Sequence, residues 1–354
     1  MSEVIKINEE QIKKDPFEFP SIDVYELAKL KLPDTKDVVK PFIQEGSSME
    51  IFGESGKGKT WFTLELILSI CTGRKFMNKF DVIETLPVWY IDGEMKLSNI
   101  RNRIDCIFRR YPMGTTIPDN YFQLTNPYLA DDKILPKINY KETQTAILEK
   151  VKQISDATGK PVVLVFDNLS CLTDIKENEG DQWVPMLDFY TQLKSMGHCI
   201  IHIHHSSKNP SQDTSRGTSR RLDALDTIIQ LKTPSDYVQS DGAYYNIQFN
   251  KTRNFAGEYA EPFSAKIKFS GELGKETVSW EITGFEDQRI TEVLEDYCSV
   301  APEGSVRKTA QALNMKPSTV QNILKKARQD GIYEKVMREK HGDKWQEKDK
   351  LKQS

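Results

Sequence analysis

Eight consecutive residues, GESGKGKT, constrain this chain more than any other feature. Gly53, Glu54, Ser55, Gly56, Lys57, Gly58, Lys59 and Thr60 satisfy the pattern GxxxxGK[ST] in full. The run lies between the apolar segment SMEIFG and a helix-forming stretch, Lys59 to Cys71. That context suits a loop whose backbone N–H groups close around phosphate oxygens, with the helix N-terminus adding partial positive charge. Lys59 is then expected to reach the β and γ phosphates of a nucleoside triphosphate such as ATP, and Thr60 to set its hydroxyl on Mg²⁺. The alternative is a glycine-rich turn that only opens a helix.

Apolar runs and helical stretches alternate from Ser47 onward. SMEIFG, PVWYIDG, PVVLVFDNL and HCIIHIHH read as buried strands, and Leu97–Tyr111, Tyr140–Ser155 and Gln182–Met196 as helices. This alternation predicts an α/β fold with a mostly parallel sheet flanked by helices. After Asp226, DTIIQL, AYYNIQFNK, FSAKIKFS and TVSWEITG predict antiparallel strands extending that sheet. Helices return after Gln288. The expected organisation is an N-terminal arm over 1–44 with a short helix from Ser21 to Leu30, an ATPase core over 45–285, a small all-α helix-turn-helix domain, with or without a wing, over 286–340, and a charged, disordered tail over 341–354.

With 38% hydrophobic and 29% charged residues in 354, the chain can bury a sizeable core. MSEVIKINEE does not read as a secretory signal, and the longest apolar stretch, Trp61 to Cys71, is too short to span a bilayer and contains Glu65. Five dispersed cysteines without a CxxC pair fit reduced thiols and a cytoplasmic setting better than disulfides or zinc.

A metal-bound triphosphate needs an acidic partner, and PVVLVFDNLS ends a strand at Asp167, where a carboxylate is expected to support Mg²⁺. Asn168 follows it, so the base that activates water must come from elsewhere. PVWYIDGEM supplies Asp92 and Glu94 at the end of another strand, at the rim where open α/β sheets bind ligands. Glu94 and Met95, Ile100 in the following helix and Arg103 together resemble the corresponding stretch of RecA-like hexameric replicative helicases of the plasmid RepA and bacterial DnaB type. The resemblance covers roughly residues 45–285. It implies a RecA-like P-loop core, Glu94 as catalytic base and Arg103 stacked on adenine; the alternative for Arg103 is a surface position on a basic helix.

The same resemblance extends further. HHSSK is similar to a segment that ends the strand beside the γ-phosphate in that family, which makes His205 a phosphate sensor. Zinc is disfavoured at the histidine cluster because no cysteine or carboxylate stands at ligand spacing. The loop NPSQDTSRGTSRRLDALD resembles a channel-lining segment that tracks single-stranded DNA, with Arg216, Arg220 and Arg221 neutralising phosphates; the alternative is a connector. KTRNF resembles the KxR element that projects into a neighbour's site, implying that Lys251 and Arg253 act in trans within a homo-oligomer, a hexameric ring.

From Gln288 to the end, 14 Lys and Arg against 10 Asp and Glu give +4, whereas 35 against 42 give −7 for the rest. The basic end also carries SVRKTAQALNMKPSTVQNILKKARQDG, whose small Ala310, turn residue Asn314 and packing residue Val320 suit a helix-turn-helix. Ser318, Thr319, Gln321, Asn322 and Lys325 are then candidates for contact with duplex DNA. A protein-binding or purely packing role is the alternative. Taken together, these features predict a Mg-ATP-hydrolysing ring helicase or translocase for replication of a plasmid, phage or other mobile element. The competing reading is an ATP-switched DNA-binding regulator or loader without strand separation. A small-molecule kinase fits the KTRNF and HHSSK elements less well.

Overall fold

The computed structural model describes residues 21–32, 34–175, 180–206, 219–234, 237–272, 274–284, 293–297, 305–313, 315–329, 333, 336 and 337, without side-chain detail at 180, 219, 220, 326 and 329. It divides into two compact units, 1–35 and 36–354. In the first, α1 (Val24–Lys29) is opened by Asp23, whose carboxylate accepts the N–H groups of Tyr25 and Glu26 at 2.7 and 2.8 Å. None of its residues is buried.

The second unit is built on a nine-stranded sheet in the order β11-β10-β9-β8-β3-β7-β6-β4-β5. Strands β3 (Ser48–Gly53), β4 (Val88–Asp92), β5 (Phe122–Thr125), β6 (Val163–Asp167), β7 (Cys199–His205) and β8 (Thr227–Lys232) run parallel. On one edge β9 (Tyr244–Thr252), β10 (Phe263–Ser270) and β11 (Thr277–Gly284) continue it antiparallel. The central strands are apolar along both faces because both are covered. β3, β4 and β6 are buried at every residue.

One face is covered by α2 (Lys59–Thr72), which is buried nearly all round. α3 (Leu97–Phe108) packs beside it through Ile100 and Ile107. The other face receives α4 (Lys141–Thr158), whose Ile147, Val151 and Ile154 follow helical spacing, and α6 (Val184–Ser195), both within a second apolar cluster. Each such side chain fully removed from water contributes about 1.5–3 kcal/mol. Short helices α5 (Leu169–Leu172) and α7 (Ser219–Asp223) follow β6 and precede β8.

One boundary differs from expectation. Residues 37–44 belong to the core unit rather than the arm, because β1 (Asp37–Val39) and β2 (Ile43–Gln44) pair there and Val38, Val39, Phe42 and Ile43 are buried in its main cluster. Strand β5 and helices α5 and α7, only four or five residues each, have no clear signature in the residue pattern.

Beyond the sheet, residues 293–297 (α8), Val306–Ala312 (α9) and Pro317–Gln329 (α10) are helical. Val293, Leu294, Ala310, Val320, Leu324, Ala327, Tyr333 and Met337 form a core of their own. Ala310 and Val320 are thus buried, and the Met315 N–H donates to the Ala310 carbonyl at 2.7 Å. Asn314 and the tail over 341–354 lie outside the described residues. Among the described residues, no helix is long and apolar enough to cross a membrane, and Cys71, Cys106, Cys171 and Cys199 are free thiols.

Candidate active site

Parallel pairing brings the C-terminal ends of four strands to one rim. Gly53 aligns with His205 across β3 and β7, and Asp92 with Asp167 across β4 and β6. The phosphate loop leaves that rim and turns into α2 through Gly58, which has φ +87° and stands so close to the β8–β9 connection that a Cβ would meet the Gly242 carbonyl at 2.7 Å. Gly53 is equally confined, since a Cβ there would lie 2.5 Å from the Leu231 carbonyl. Both glycines therefore serve close backbone approach.

A cavity of about 540 Å³ opens at this rim. It is lined by Ser55, Gly56, Gly58, Lys59, Thr60, Asp92, Glu94, Asp167 and His205, with Trp61, Arg103, Asn168 and Gln239 among the remaining walls. Gly53, Glu54 and Lys57 stand outside it. Gly53 and Glu54 offer their carbonyl oxygens to Lys59 Nζ at 3.0 and 2.7 Å, and the Lys57 ammonium lies 4.2 Å from the centre of the Tyr237 ring. Lys59 Nζ is also 3.1 Å from Nδ1 of His205. The expected sensor and the phosphate-binding lysine are thus neighbours.

The acidic side is organised by two asparagines absent from the expected site. Asn168 Nδ2 donates to Glu94 Oε2 at 2.7 Å. Asn126, at the end of β5, donates to Asp92 Oδ2 at 2.6 Å and to the Met95 carbonyl at 2.8 Å, and the Met95 N–H also donates to Asp92 Oδ2. Glu94 therefore sits on a turn pinned from both sides. Asn168 had a positional signal next to Asp167; Asn126 had none.

Asp167 accepts the Tyr90 hydroxyl at 2.8 Å. Burial pushes the Asp92 carboxyl up to about 7, reinforced by Asp167. Burial likewise raises Asp167 to about 6, against the opposing hydrogen bond from Tyr90 and the charge of Lys59. Two buried carboxyl groups held high in this way mark a place that favours added positive charge. Together with the Thr60 hydroxyl, Asp167 offers the hard oxygen donors that Mg²⁺ prefers. Among the described residues no cluster of three His, Cys, Asp or Glu side chains is placed to hold a metal.

Arg103 belongs to the cavity rather than the surface. Its guanidinium lies 5.1 Å from the Trp61 ring centre, and Phe269 meets the same ring edge-on at 5.4 Å. Burial lowers the Arg103 pKa from its ordinary value.

The remaining candidates lie elsewhere. Lys251 pairs with Ile228 at the start of β8, at the opposite end of the sheet from the phosphate loop, and neither Lys251 nor Arg253 lines the cavity. Lys251 Nζ donates to the Leu222 and Asp223 carbonyls at 2.7 and 3.1 Å, and Arg253 Nη2 to the Asp223 carbonyl at 2.6 Å.

Arg221 corrects an expectation. It is not part of a solvent-facing basic loop but is 1% exposed, 2.5 Å from Glu50 Oε2 and over the Trp183 ring. His202 Nε2 lies 2.8 Å from the same carboxylate. Burial alone would raise the Glu50 pKa, yet the Arg221 charge and the His202 hydrogen bond hold it at about 2. A carboxylate thus does stand by the histidines, brought there by strand pairing, but it is paired to arginine. Arg216 and the Arg220 side chain lie outside the described residues. On α10, Ser318, Gln321, Asn322 and Lys325 are exposed and Thr319 is half-buried.

Residues 13–211, more than half of the chain, match the family described as AAA domain (AAA_25). No curated protein matches the chain. Among solved structures, a KaiC-like protein from the hyperthermophilic archaeon Pyrococcus horikoshii OT3 is similar at 13% identity with a TM-score of 0.45, over 69% of this chain and 93% of that one. With the phosphate loop, the rim carboxylates and the mostly parallel sheet already in place, the family match agrees with a P-loop ATPase core, and the chain belongs to the AAA domain family.

Proposed function

We propose that this ATPase is a ring-forming motor that couples Mg-ATP hydrolysis to movement along or unwinding of DNA, in the replication of a plasmid, phage or other mobile element. The observation that carries the reading is the separation of Lys251 and Arg253 from their own nucleotide cavity. Two cations at the far end of the sheet cannot reach a phosphate bound at Lys59 of the same chain, so a role in phosphoryl transfer requires a neighbouring copy. A closed homo-oligomer, a hexamer in this reading, supplies each cavity with the pair from the next subunit.

Within one cavity the chain's residues divide the work. Lys59 and the N–H groups of the phosphate loop hold the triphosphate, and Arg103 and Trp61 offer a flat cationic and aromatic wall to the base. Glu94, oriented by Asn168, takes the proton of the attacking water. Thr60 and Asp167 would hold Mg²⁺, which would supply neutralisation of charge on the phosphate oxygens. His205, within hydrogen-bonding distance of Lys59, exchanges partners when the γ-phosphate is present or gone.

The test is steady-state ATP hydrolysis with and without single-stranded DNA at two salt concentrations. A large stimulation that weakens with salt is expected of a motor tracking a phosphate backbone. Slow turnover indifferent to single strands would instead favour the second reading, an ATP-switched DNA-binding regulator or loader. What favours that reading is the separate helical core around Ala310 and Val320, with Ser318, Gln321, Asn322 and Lys325 exposed beside it.

A further inference from the structure

Helix α7 is five residues long and holds two distant parts of the molecule together. On one side its Arg221 guanidinium enters the sheet, 2.5 Å from Glu50 Oε2 on β3 and 3.5 Å from Oε1. That carboxylate also meets His202 on β7, the strand that ends at His205 beside Lys59. On the other side the carbonyl oxygens of Leu222 and Asp223 receive Lys251 and Arg253. Asp226 closes the bracket: it lies 3.4 Å from Arg253 Nη1 and is itself fixed by the Ser48 N–H at 2.9 Å and Lys194 Nζ at 2.6 Å.

The energetics argue that this arrangement serves geometry. A buried ion pair contributes little net stability, because desolvation offsets its Coulombic gain. The planar fork of arginine does, however, fix direction in a way a lysine cannot. The same backbone that carries Arg221 presents the carbonyls that hold Lys251 and Arg253, so a shift at the Glu50 contact moves both cations.

We infer that Arg221 is a positioning residue for hydrolysis in the neighbouring subunit: anchored to Glu50 and His202, it sets the Leu222 and Asp223 carbonyls so that Lys251 and Arg253 are aimed outward in one geometry. The inference rests on the reading that those two cations act in trans. It assigns Arg221 a function unlike the DNA contact expected from its sequence neighbourhood, and it gives Glu50, remote from any nucleotide, a defined part in the same reaction.

Full-length Arg221→Lys, which keeps the charge and loses the fork, tests this. The double variant Glu50→Gln, Arg221→Met removes both charges at similar volume and guards against a single variant that fails to fold. Each alone is expected to lose about a hundredfold in turnover, the scale of a misplaced catalytic group, with ATP affinity unchanged. Mixing with Glu94→Gln chains, which carry a disabled cavity but an intact Lys251 and Arg253 pair, should restore turnover, as it should for Arg253→Ala mixed with the same chains.

Normal turnover by the Arg221 variants alone overturns the inference. So does recovery of the Arg253→Ala mixture without recovery of the Arg221 mixtures, which would confine Arg221 to its own cavity and leave the trans reading standing. Failure of both mixtures refutes the trans reading and the inference with it.

Discussion

Lys59 Nζ stands 3.1 Å from His205 Nδ1, the phosphate loop of one strand touching the end of the next. The register of β3 and β7 produces this, since Gly53 and His205 are aligned partners. A lysine that already bonds the Gly53 and Glu54 carbonyls is preorganised at the mouth of the loop, and any phosphate it captures is presented to the histidine at once.

Lys59→Ala removes the cation on which this arrangement depends. Phosphate release should fall by at least about a hundredfold, comparable to losing one preorganised donor to a transition state. Normal turnover by the purified variant would contradict the assigned role of the phosphate loop.

Glu94→Gln should lower turnover by about 10²–10⁴ while nucleotide binding persists, the range of a lost general base. Asn168→Ala leaves the carboxylate in place and removes its 2.7 Å orienting bond, so an intermediate loss in turnover with unchanged KM is expected. Equal losses for the two variants would mean that Asn168 does more than orient Glu94.

Trp61→Ala should weaken ATP binding by roughly tenfold, the range of a cation–π wall that also loses aromatic area. Direct titration with a fluorescent ATP analogue reads the effect. Inorganic triphosphate, which has no base to stack, should bind wild type and variant alike; an equal loss for both ligands would place Trp61 away from the base.

The Glu50 pair makes a pH prediction. Its carboxyl titrates at about 2 in the fold against an ordinary 4.5, because Arg221 and His202 outweigh the opposing effect of burial. Between those values the unfolded chain binds the proton more readily, so the stabilisation is complete above about pH 4.5 and is lost as pH falls towards 2. Chemical denaturation of wild type and of the Glu50→Gln, Arg221→Met variant should therefore give a stability difference that changes across this window. A difference that changes only above pH 5, outside the expected window, would contradict the assignment.

Much of this architecture was legible from residue pattern. SMEIFG, FSAKIKFS and TVSWEITG are strands at the limits the pattern suggests, because fully buried or cleanly alternating strands bounded by glycine and polar residues leave little choice of register. FQLT was missed, being a short edge strand that is half-buried throughout. Residues 37–44 read as part of the arm because Pro33 precedes them, Pro41 interrupts them, and their strands are only three and two residues long.

In the site, Lys59, Thr60, Asp167, Glu94, Arg103 and His205 line one cavity; the phosphate-loop motif and the strand ends point to the first four, and only the family resemblance points to Arg103 and His205. What spacing could not reveal were partners joined only by the fold. Asn126 meets Asp92 across β5 and β4, and Glu50 meets an arginine 171 positions away. Arg221 was misread for that reason: within a polar, arginine-rich segment nothing local distinguishes the side chain that turns inward.

The most direct test of the central claim, an ATP site completed by a second subunit, is specific ATPase activity measured against protein concentration, with Lys59→Ala as the blank. Activity per chain should rise steeply with concentration to a plateau as subunits associate, in step with oligomer mass from light scattering. Full activity per chain in dilute solutions that contain only monomer would contradict the account.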